Sequence, residues 1–194
     1  PATAFSKTYN TDSQTPDSAG TMTAMITGAK TRMGFLSVGQ IPDRGQCAQS
    51  LKHPLTSAMT LAKAAGLSTG VVTTTRITHA TPAATYAHSP ERNWESDADM
   101  SDAAKAQGCS DIAQQLVDYS AATGVDVVMG GGLNKFLPAG ANPKYPDAKG
   151  ARSDGKDLVK QWASQEPGRA FVFSGSQLAA LDLTASRKIT GLFS

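Results

Sequence analysis

Apolar positions recur along the chain at two spacings, one typical of helices and the other of strands. Ala19, Met22 and Ile26 fall on one face of a predicted helix that ends at Gly28. Residues 70–75 form a short run rich in β-branched side chains, which is typical of a buried strand. The first part of the chain therefore predicts a helix and, after further helical sequence, a strand.

The two patterns alternate through the rest of the chain. Helices are expected at 55–65, 110–122, 156–163 and 177–181, and strands at 125–129, 170–173 and 188–193. Because strands that alternate with helices usually pair in parallel, we expect an α/β fold with a mostly parallel sheet flanked by helices. No repeat or linker divides the sequence, so residues 1–194 are expected to form a single domain. In such sheets, functional residues lie beyond the carboxyl ends of the strands.

Composition excludes several classes of protein. The 18 basic and 16 acidic residues give a net charge of +2 without a basic run, so we expect no nucleic-acid partner. No apolar stretch approaches the roughly 18 residues of a membrane-spanning helix. The chain opens without a signal-peptide pattern, and we expect any such peptide to have been removed.

The two cysteines, Cys47 and Cys109, are too few for a metal cluster, and composition alone favours buried free thiols.

The sequence TPDSAGT at 15–21 places Asp17 and Ser18 at the start of the first predicted helix. Free backbone N–H groups and the helix dipole favour an anion at this position. One interpretation makes Ser18 the N-cap residue of the helix. A second makes it a nucleophile that accepts a phosphoryl group. A Ser-His-Asp triad is a third, although no Gly-x-Ser-x-Gly sequence surrounds Ser18.

A second cluster of polar residues follows the predicted strand at 70–75. Taken singly, each member has a simple explanation: Thr81 caps a short helix after Pro82, His79 is a loop histidine, and Arg92 is a surface charge. The glycines at 130–132 precede a lysine but lack the spacing of a phosphate-binding loop, so a turn after a strand explains them better.

Taken together, these segments resemble the alkaline phosphatase family in order and spacing. The segments that carry the resemblance include PDSAGT at 16–21, TTTR at 73–76, HATPA at 79–83, RNW at 92–94, GCSDIA at 108–113 and MGGG at 129–132. The resemblance covers essentially the whole chain and is closer to the animal-type branch than to the enteric bacterial one. It implies an alkaline-phosphatase-like fold and the hydrolysis of phosphate monoesters through a phosphoserine, with zinc and magnesium as cofactors.

The resemblance also implies a role for each candidate residue. Ser18 would be the nucleophile, with its oxygen beside a zinc ion. Arg92 would bind two phosphate oxygens, which a planar guanidinium does better than a lysine, and Asp17 would orient Arg92. Thr81 would bind magnesium through its hydroxyl. His79 would lie near that ion without binding it.

Further expectations follow from the same resemblance. Cys47 and Cys109 would form a disulfide, and the protein would be periplasmic or secreted and, when complete, a homodimer. Most metal ligands of the family lie in motifs outside this sequence, so residues 1–194 are expected to be part of a phosphatase domain. The alternative is a non-catalytic fragment or anion-binding module without a metal site. A phosphodiesterase or sulfatase relative fits less well, because the residues around Ser18 differ from the sulfatase motif.

Overall fold

The elements of the fold are known from a computed structural model, which describes residues 3–122, 124–185 and 188–193. Its helices are α1 (Ser18–Thr27), α2 (Cys47–Ser50), α3 (Ala58–Ala64), α4 (Ala80–Ala83), α5 (Asp102–Ala106), α6 (Ile112–Ala122), α7 (Leu158–Ala163) and α8 (Gly175–Ala179). Its strands are β1 (Gly70–Arg76), β2 (Val127–Gly131), β3 (Arg169–Val172) and β4 (Lys188–Phe193). Short 3₁₀ helices lie at Asp97–Asp99 and Leu133–Phe136.

The described strands form one sheet in the order β1-β2-β4-β3, and every neighbouring pair is parallel. This arrangement confirms the α/β fold with a parallel sheet flanked by helices. Because the strands are parallel, their carboxyl ends share one edge of the sheet. Arg76 ends β1 at that edge and pairs with Gly131 of β2, and the loop that follows Arg76 carries the second cluster of candidate residues.

A single large apolar cluster packs the helices onto the sheet. Its fully buried members include Ile77, Ile112, Leu116, Leu158 and Leu192. Burying an aliphatic side chain of this size contributes about 1.5–3 kcal/mol. The same cluster includes residues of α1 and α4, which pack against each other and so bring together the helices that carry Ser18 and Thr81.

Helix α1 has the apolar face that the sequence predicts. Ala19 is buried, and Met22 and Ile26 pack against the main core. The helix ends at Gly28, whose φ of 76° is the left-handed conformation that favours glycine. This packing fixes the direction in which the start of α1 points.

The elements that differ from the expectation include β1 and α4. Val72 in β1 is 71% exposed, because β1 is an edge strand and one of its faces is uncovered within the described residues. Helix α4 begins at Ala80 and contains Pro82, which fits the first turn because its missing N–H would have no helical partner there. Thr81 therefore lies inside α4, and the interpretation of Thr81 as its cap is wrong.

Cys47 and Cys109 are joined in a disulfide, as the family resemblance implied, and the interpretation as free thiols is wrong. The bridge spans 62 residues of sequence, for which the chain-entropy model gives a stabilisation of about 4 kcal/mol. Trp94 and Met100 pack around it in a second, smaller apolar cluster. No helix within the described ranges is long and apolar enough to cross a membrane.

The glycines at the end of β2 allow β1 to approach closely. A Cβ atom on Gly130 would lie 2.8 Å from the Thr73 Cγ2 atom. Gly132 has a φ of +91°, and a Cβ there would lie 3.0 Å from the Arg76 Cβ. Strand packing thus accounts for these glycines, but Gly130 and Gly131 belong to β2 itself, so the expected turn after a strand is wrong for them and applies only to Gly132.

Candidate active site

The Asp17 carboxylate is the centre of the hydrogen-bond network at the start of α1. Its Oδ1 accepts from the Gly20 backbone N–H and the Asn10 side chain, each at 2.9 Å. Its Oδ2 accepts from the Gly34 N–H at 2.9 Å and from Arg92 Nη1 at 3.1 Å. Burial raises the pKa of Asp17, but these hydrogen bonds outweigh it and hold the pKa below its ordinary value. Asp17 is therefore a charged partner for Arg92 at neutral pH.

Ser18 is the first residue of α1, and the N-cap is Asp17. The interpretation of Ser18 as the N-cap residue is therefore wrong. The Ser18 hydroxyl makes no hydrogen bond to any residue that the structure describes, and the side chain is half-buried. A hydroxyl group at the positive end of a helix is left available for a ligand.

Arg92 lies between two partners that hold its guanidinium. Besides the bond from Nη1 to Asp17, its Nη2 lies 3.3 Å from Nε2 of His79. Its backbone N–H donates to the Gly34 carbonyl at 2.9 Å. Asp17, Arg92 and His79 thus form one connected chain of contacts that starts beside Ser18.

His79 precedes α4 and links the second cluster of residues to the first. Burial lowers its pKa, and the positive charges of Arg92 and Arg76 lower it further. Its Nδ1 atom is buried and has no hydrogen-bond partner among the described residues. His79 contacts Arg92 and His88 contacts the Leu55 carbonyl, and no histidine among the described residues makes the hydrogen bond to Ser18 that a triad would require.

The donor atoms near Ser18 do not by themselves fit a zinc ion. Residues 3–122, 124–185 and 188–193 contain no group of three or more His, Cys, Asp or Glu residues that could hold a metal ion. Catalytic zinc takes about three such protein ligands. The exposed Thr81 hydroxyl is an oxygen donor of the type that magnesium accepts.

Several residues around the site were not predicted from the sequence. Asn10 and Gly34 bind Asp17, and Glu95 binds both Arg76 and Thr78. Arg76 had a usable signal, because it lies at the carboxyl end of a predicted parallel strand. Glu95 follows the RNW segment directly, but its partners are 17 and 19 residues earlier and become apparent only in the folded chain.

Comparison with known sequences gives the same family as the sequence motifs. The model of the Alkaline phosphatase family matches residues 1–194. The chain is 42% identical over 200 residues to the tissue-nonspecific alkaline phosphatase of Rattus norvegicus, and 41% identical to that of Gallus gallus. Each alignment covers 100% of this chain and 38% of the relative, so the chain spans well under half of these relatives' length.

Solved structures agree with the sequence comparison. The cold-active alkaline phosphatase of a psychrophilic Shewanella sp. superposes with a TM-score of 0.64 at 30% identity, covering 96% of this chain and 34% of that one. The Thermus thermophilus alkaline phosphatase gives a TM-score of 0.66 at 29% identity, covering 96% and 30% of the two chains. The parallel sheet, the whole-length family match and these likenesses show that the chain belongs to the alkaline phosphatase family.

Proposed function

We propose that this chain supplies the nucleophile and the phosphate-binding arginine of an alkaline phosphatase that hydrolyses phosphate monoesters. One observation carries the proposal. Asp17 caps α1 through one carboxylate oxygen and binds Arg92 through the other. A guanidinium is thereby tied to the same helix start that presents the unbonded hydroxyl of Ser18.

The proposed reaction has two displacement steps. In the first, the Ser18 oxygen attacks phosphorus, the bond to the alcohol oxygen breaks, and the alcohol leaves after taking up a proton. In the second, water attacks the phosphoserine, which releases inorganic phosphate and restores the Ser18 hydroxyl. Arg92 and the backbone N–H groups at the start of α1 neutralise the phosphate oxygens in both steps.

The metal ions of the proposed enzyme are zinc and magnesium. The Thr81 hydroxyl is the proposed contribution of this chain to magnesium, and most other ligands are expected from sequence beyond these 194 residues. A solved structure of a TAB5 alkaline phosphatase variant, 25% identical to this chain, is described with Mg bound in its M3 site. Bound metal ions would stabilise the negative charge on the phosphoryl oxygens.

Location and assembly are part of the same proposal. The Cys47–Cys109 disulfide is typical of oxidising compartments, which supports a periplasmic or secreted protein. We propose a homodimer for the complete protein, with small phosphate monoesters as its substrates. The alternative function, phosphate binding without turnover, needs only Arg92 and the start of α1.

Substitution of Ser18 and Arg92 in the complete protein tests the proposal. We expect Ser18→Ala to lower kcat by several orders of magnitude and to abolish phosphate labelling of the protein, while inorganic phosphate still binds. We expect Arg92→Ala to weaken the binding of substrate and of inorganic phosphate, because a charge-assisted contact is lost.

Ser57→Ala is the matched control for the serine substitution. Ser57 is the N-cap of α3 and accepts a hydrogen bond from the Thr60 N–H, so its loss should cost about 1 kcal/mol of stability without affecting labelling. Phosphate binding with no turnover in the unsubstituted protein would favour the anion-binding alternative. Small and equal effects of Ser18→Ala and Arg92→Ala would contradict the proposed roles.

A further inference from the structure

We propose that Glu95 is a positioning residue that holds the turn at 76–79, and with it His79 and the adjoining Thr81 of α4, against the segment that carries Arg92. The inference rests on the proposed function, because it assigns a purpose to the position of that turn. The turn connects β1 to α4 at the carboxyl edge of the sheet, beside the start of α1.

Glu95 binds two residues in the first part of the turn, Arg76 and Thr78. Its two carboxylate oxygens accept from Nε and Nη2 of Arg76, at 2.8 and 2.7 Å, in a bidentate pair. The Thr78 hydroxyl donates to Oε2 at 2.6 Å. Such paired, charge-assisted bonds fix orientation as well as distance. Glu95 is nine-tenths buried and Thr78 is fully buried, whereas the Arg76 side chain is 46% exposed, so solvent weakens the ion pair more than the bond from the Thr78 hydroxyl.

The backbone around Glu95 is itself firmly held. The carbonyls of Trp94 and Glu95 accept from the Ile112 and Ala113 N–H groups at 2.8 and 3.2 Å, which satisfies the first free donors of α6. The Trp94 side chain packs beside the disulfide-bonded Cys47. Glu95 is therefore a side chain on a rigid base that reaches across to a turn.

Loss of the Glu95 contacts should affect two parts of the site unequally. Arg92 keeps its bonds to Asp17 and Gly34, neither of which involves the turn. His79, in contrast, is the last residue of the turn, and Thr81 lies in the first helical turn of α4. Glu95 substitutions should therefore lower kcat, which depends on the placement of all these groups, more than they weaken the binding of inorganic phosphate.

The test uses Glu95→Gln in the complete protein, which keeps the shape of the side chain and removes its charge. We expect kcat to fall by about tenfold or more, because displacements of about 1 Å in an active site have effects of this size. The inhibition constant of inorganic phosphate should stay within about threefold of its original value.

Asp126→Asn is the matched control. Asp126 accepts two bonds from Lys63 Nζ, at 3.1 and 3.0 Å, and one from the Thr69 N–H at 2.7 Å. It thus anchors the amino end of β1, where Glu95 anchors the carboxyl end. Asp126→Asn should lower the unfolding temperature about as much as Glu95→Gln does and leave kcat unchanged.

Thr78→Val keeps the test decisive where Glu95→Gln fails to fold. It removes one hydrogen bond to Glu95, preserves the ion pair with Arg76, and should lower kcat in the same direction by a smaller factor. An unchanged kcat in the folded Glu95 variant, or in Thr78→Val, would overturn the inference. If Ser18→Ala abolishes activity in the same experiments, the proposed function stands; if Ser18→Ala is fully active, the proposed function itself has failed.

Discussion

At the scale of single residues, Asp17 shows why this helix start needs a carboxylate. A serine or threonine cap has one oxygen with which to accept bonds, whereas Asp17 uses one oxygen for Gly20 and the other for Arg92. The cap function leaves the neighbouring Ser18 hydroxyl unused. Capping, arginine orientation and the availability of the nucleophile therefore follow from the identity of one residue.

Asp17→Asn should separate these roles. Asparagine caps helices about as well as aspartate through its one oxygen, but its NH₂ group would face the Gly34 N–H and Arg92, so we expect a loss of stability of about 1–3 kcal/mol. Arg92 loses its charged partner, and because a charge-assisted hydrogen bond contributes about 1.5–3 kcal/mol, orientation of the guanidinium should suffer. We expect the inhibition constant of inorganic phosphate to rise about tenfold, measured by competition with a chromogenic aryl phosphate.

Asp157→Asn is the control for that substitution. Asp157 is the N-cap of α7 and accepts from the Lys160 N–H at 2.9 Å, without an arginine partner. It should leave phosphate inhibition unchanged. Tighter phosphate binding in Asp17→Asn would show that the negative charge of Asp17 repels phosphate more than it orients Arg92.

At the scale of elements, the sequence predicts segments with strong periodic patterns and misses those that depend on tertiary contacts. The strand at 188–193 and the start of α1 at Ser18 agree with the structure, because apolar runs and a capping sequence mark them locally. β2 lies two residues later than predicted, since its terminal glycines look like a turn and yet pair with Leu192 and Phe193 of β4.

The contacts of the candidate site show the same division. Ser18, Asp17 and Arg92 lie within recognisable motifs. The bonds that Glu95 accepts from Arg76 and Thr78 join residues 19 and 17 positions apart, which only the folded chain brings together. The short helices α2 and α5 were not predicted for a related reason: with four and five residues they have too few turns to show a period.

Gly130→Ala should destabilise the contact between β1 and β2. The added methyl group would meet the Thr73 Cγ2 at 2.8 Å and the Thr75 carbonyl oxygen at 3.1 Å, and the backbone atom cannot move away freely. Overpacking of this kind costs roughly 1–3 kcal/mol. Because the strain falls just before Arg76, kcat should fall as well. Urea unfolding and steady-state kinetics of the complete protein would measure both effects.

Gly175→Ala provides the comparison. Gly175 begins α8 and is exposed, and no atom lies within 4 Å of the position that an added Cβ would take. The stability of Gly175→Ala should equal that of the unsubstituted protein or exceed it by up to about 1 kcal/mol, since alanine has a higher helix propensity than glycine. Equal stability of the two variants would mean that β1 and β2 can separate without cost.

At the scale of the whole molecule, buried Arg152 connects segments that are distant in the sequence. Its guanidinium donates to both oxygens of Asp111 at 3.0 Å and to those of Asp154 at 3.0 and 2.7 Å. Asp97 lies 3.6 Å away and also accepts from the Ser153 N–H. One buried cation thus neutralises carboxylates that come from the 3₁₀ helix at Asp97–Asp99, the start of α6 and the loop before α7.

Arg152→Met should therefore destabilise the complete protein in a pH-dependent way. Removing one partner of a buried ion pair costs about 3–5 kcal/mol, because the carboxylates are left unpaired. Burial raises the pKa of Asp154, but the hydrogen bonds from Arg152 outweigh it and hold the pKa below its ordinary value. A carboxylate with a lowered folded-state pKa stabilises the fold above its unfolded pKa of about 4, and that stabilisation is lost as the pH falls through the lowered value. The loss of stability in Arg152→Met should thus be largest near pH 7 and shrink below about pH 4, where the carboxylates take up protons.

Arg32→Met is the control: it breaks the exposed 2.7 Å pair with Asp43 and should cost at most about 1 kcal/mol at any pH. Thermal unfolding of the unsubstituted protein and of both variants between pH 3 and pH 7 would measure these differences. If the loss of stability in Arg152→Met did not depend on pH, its cause would be lost packing and not unpaired charge.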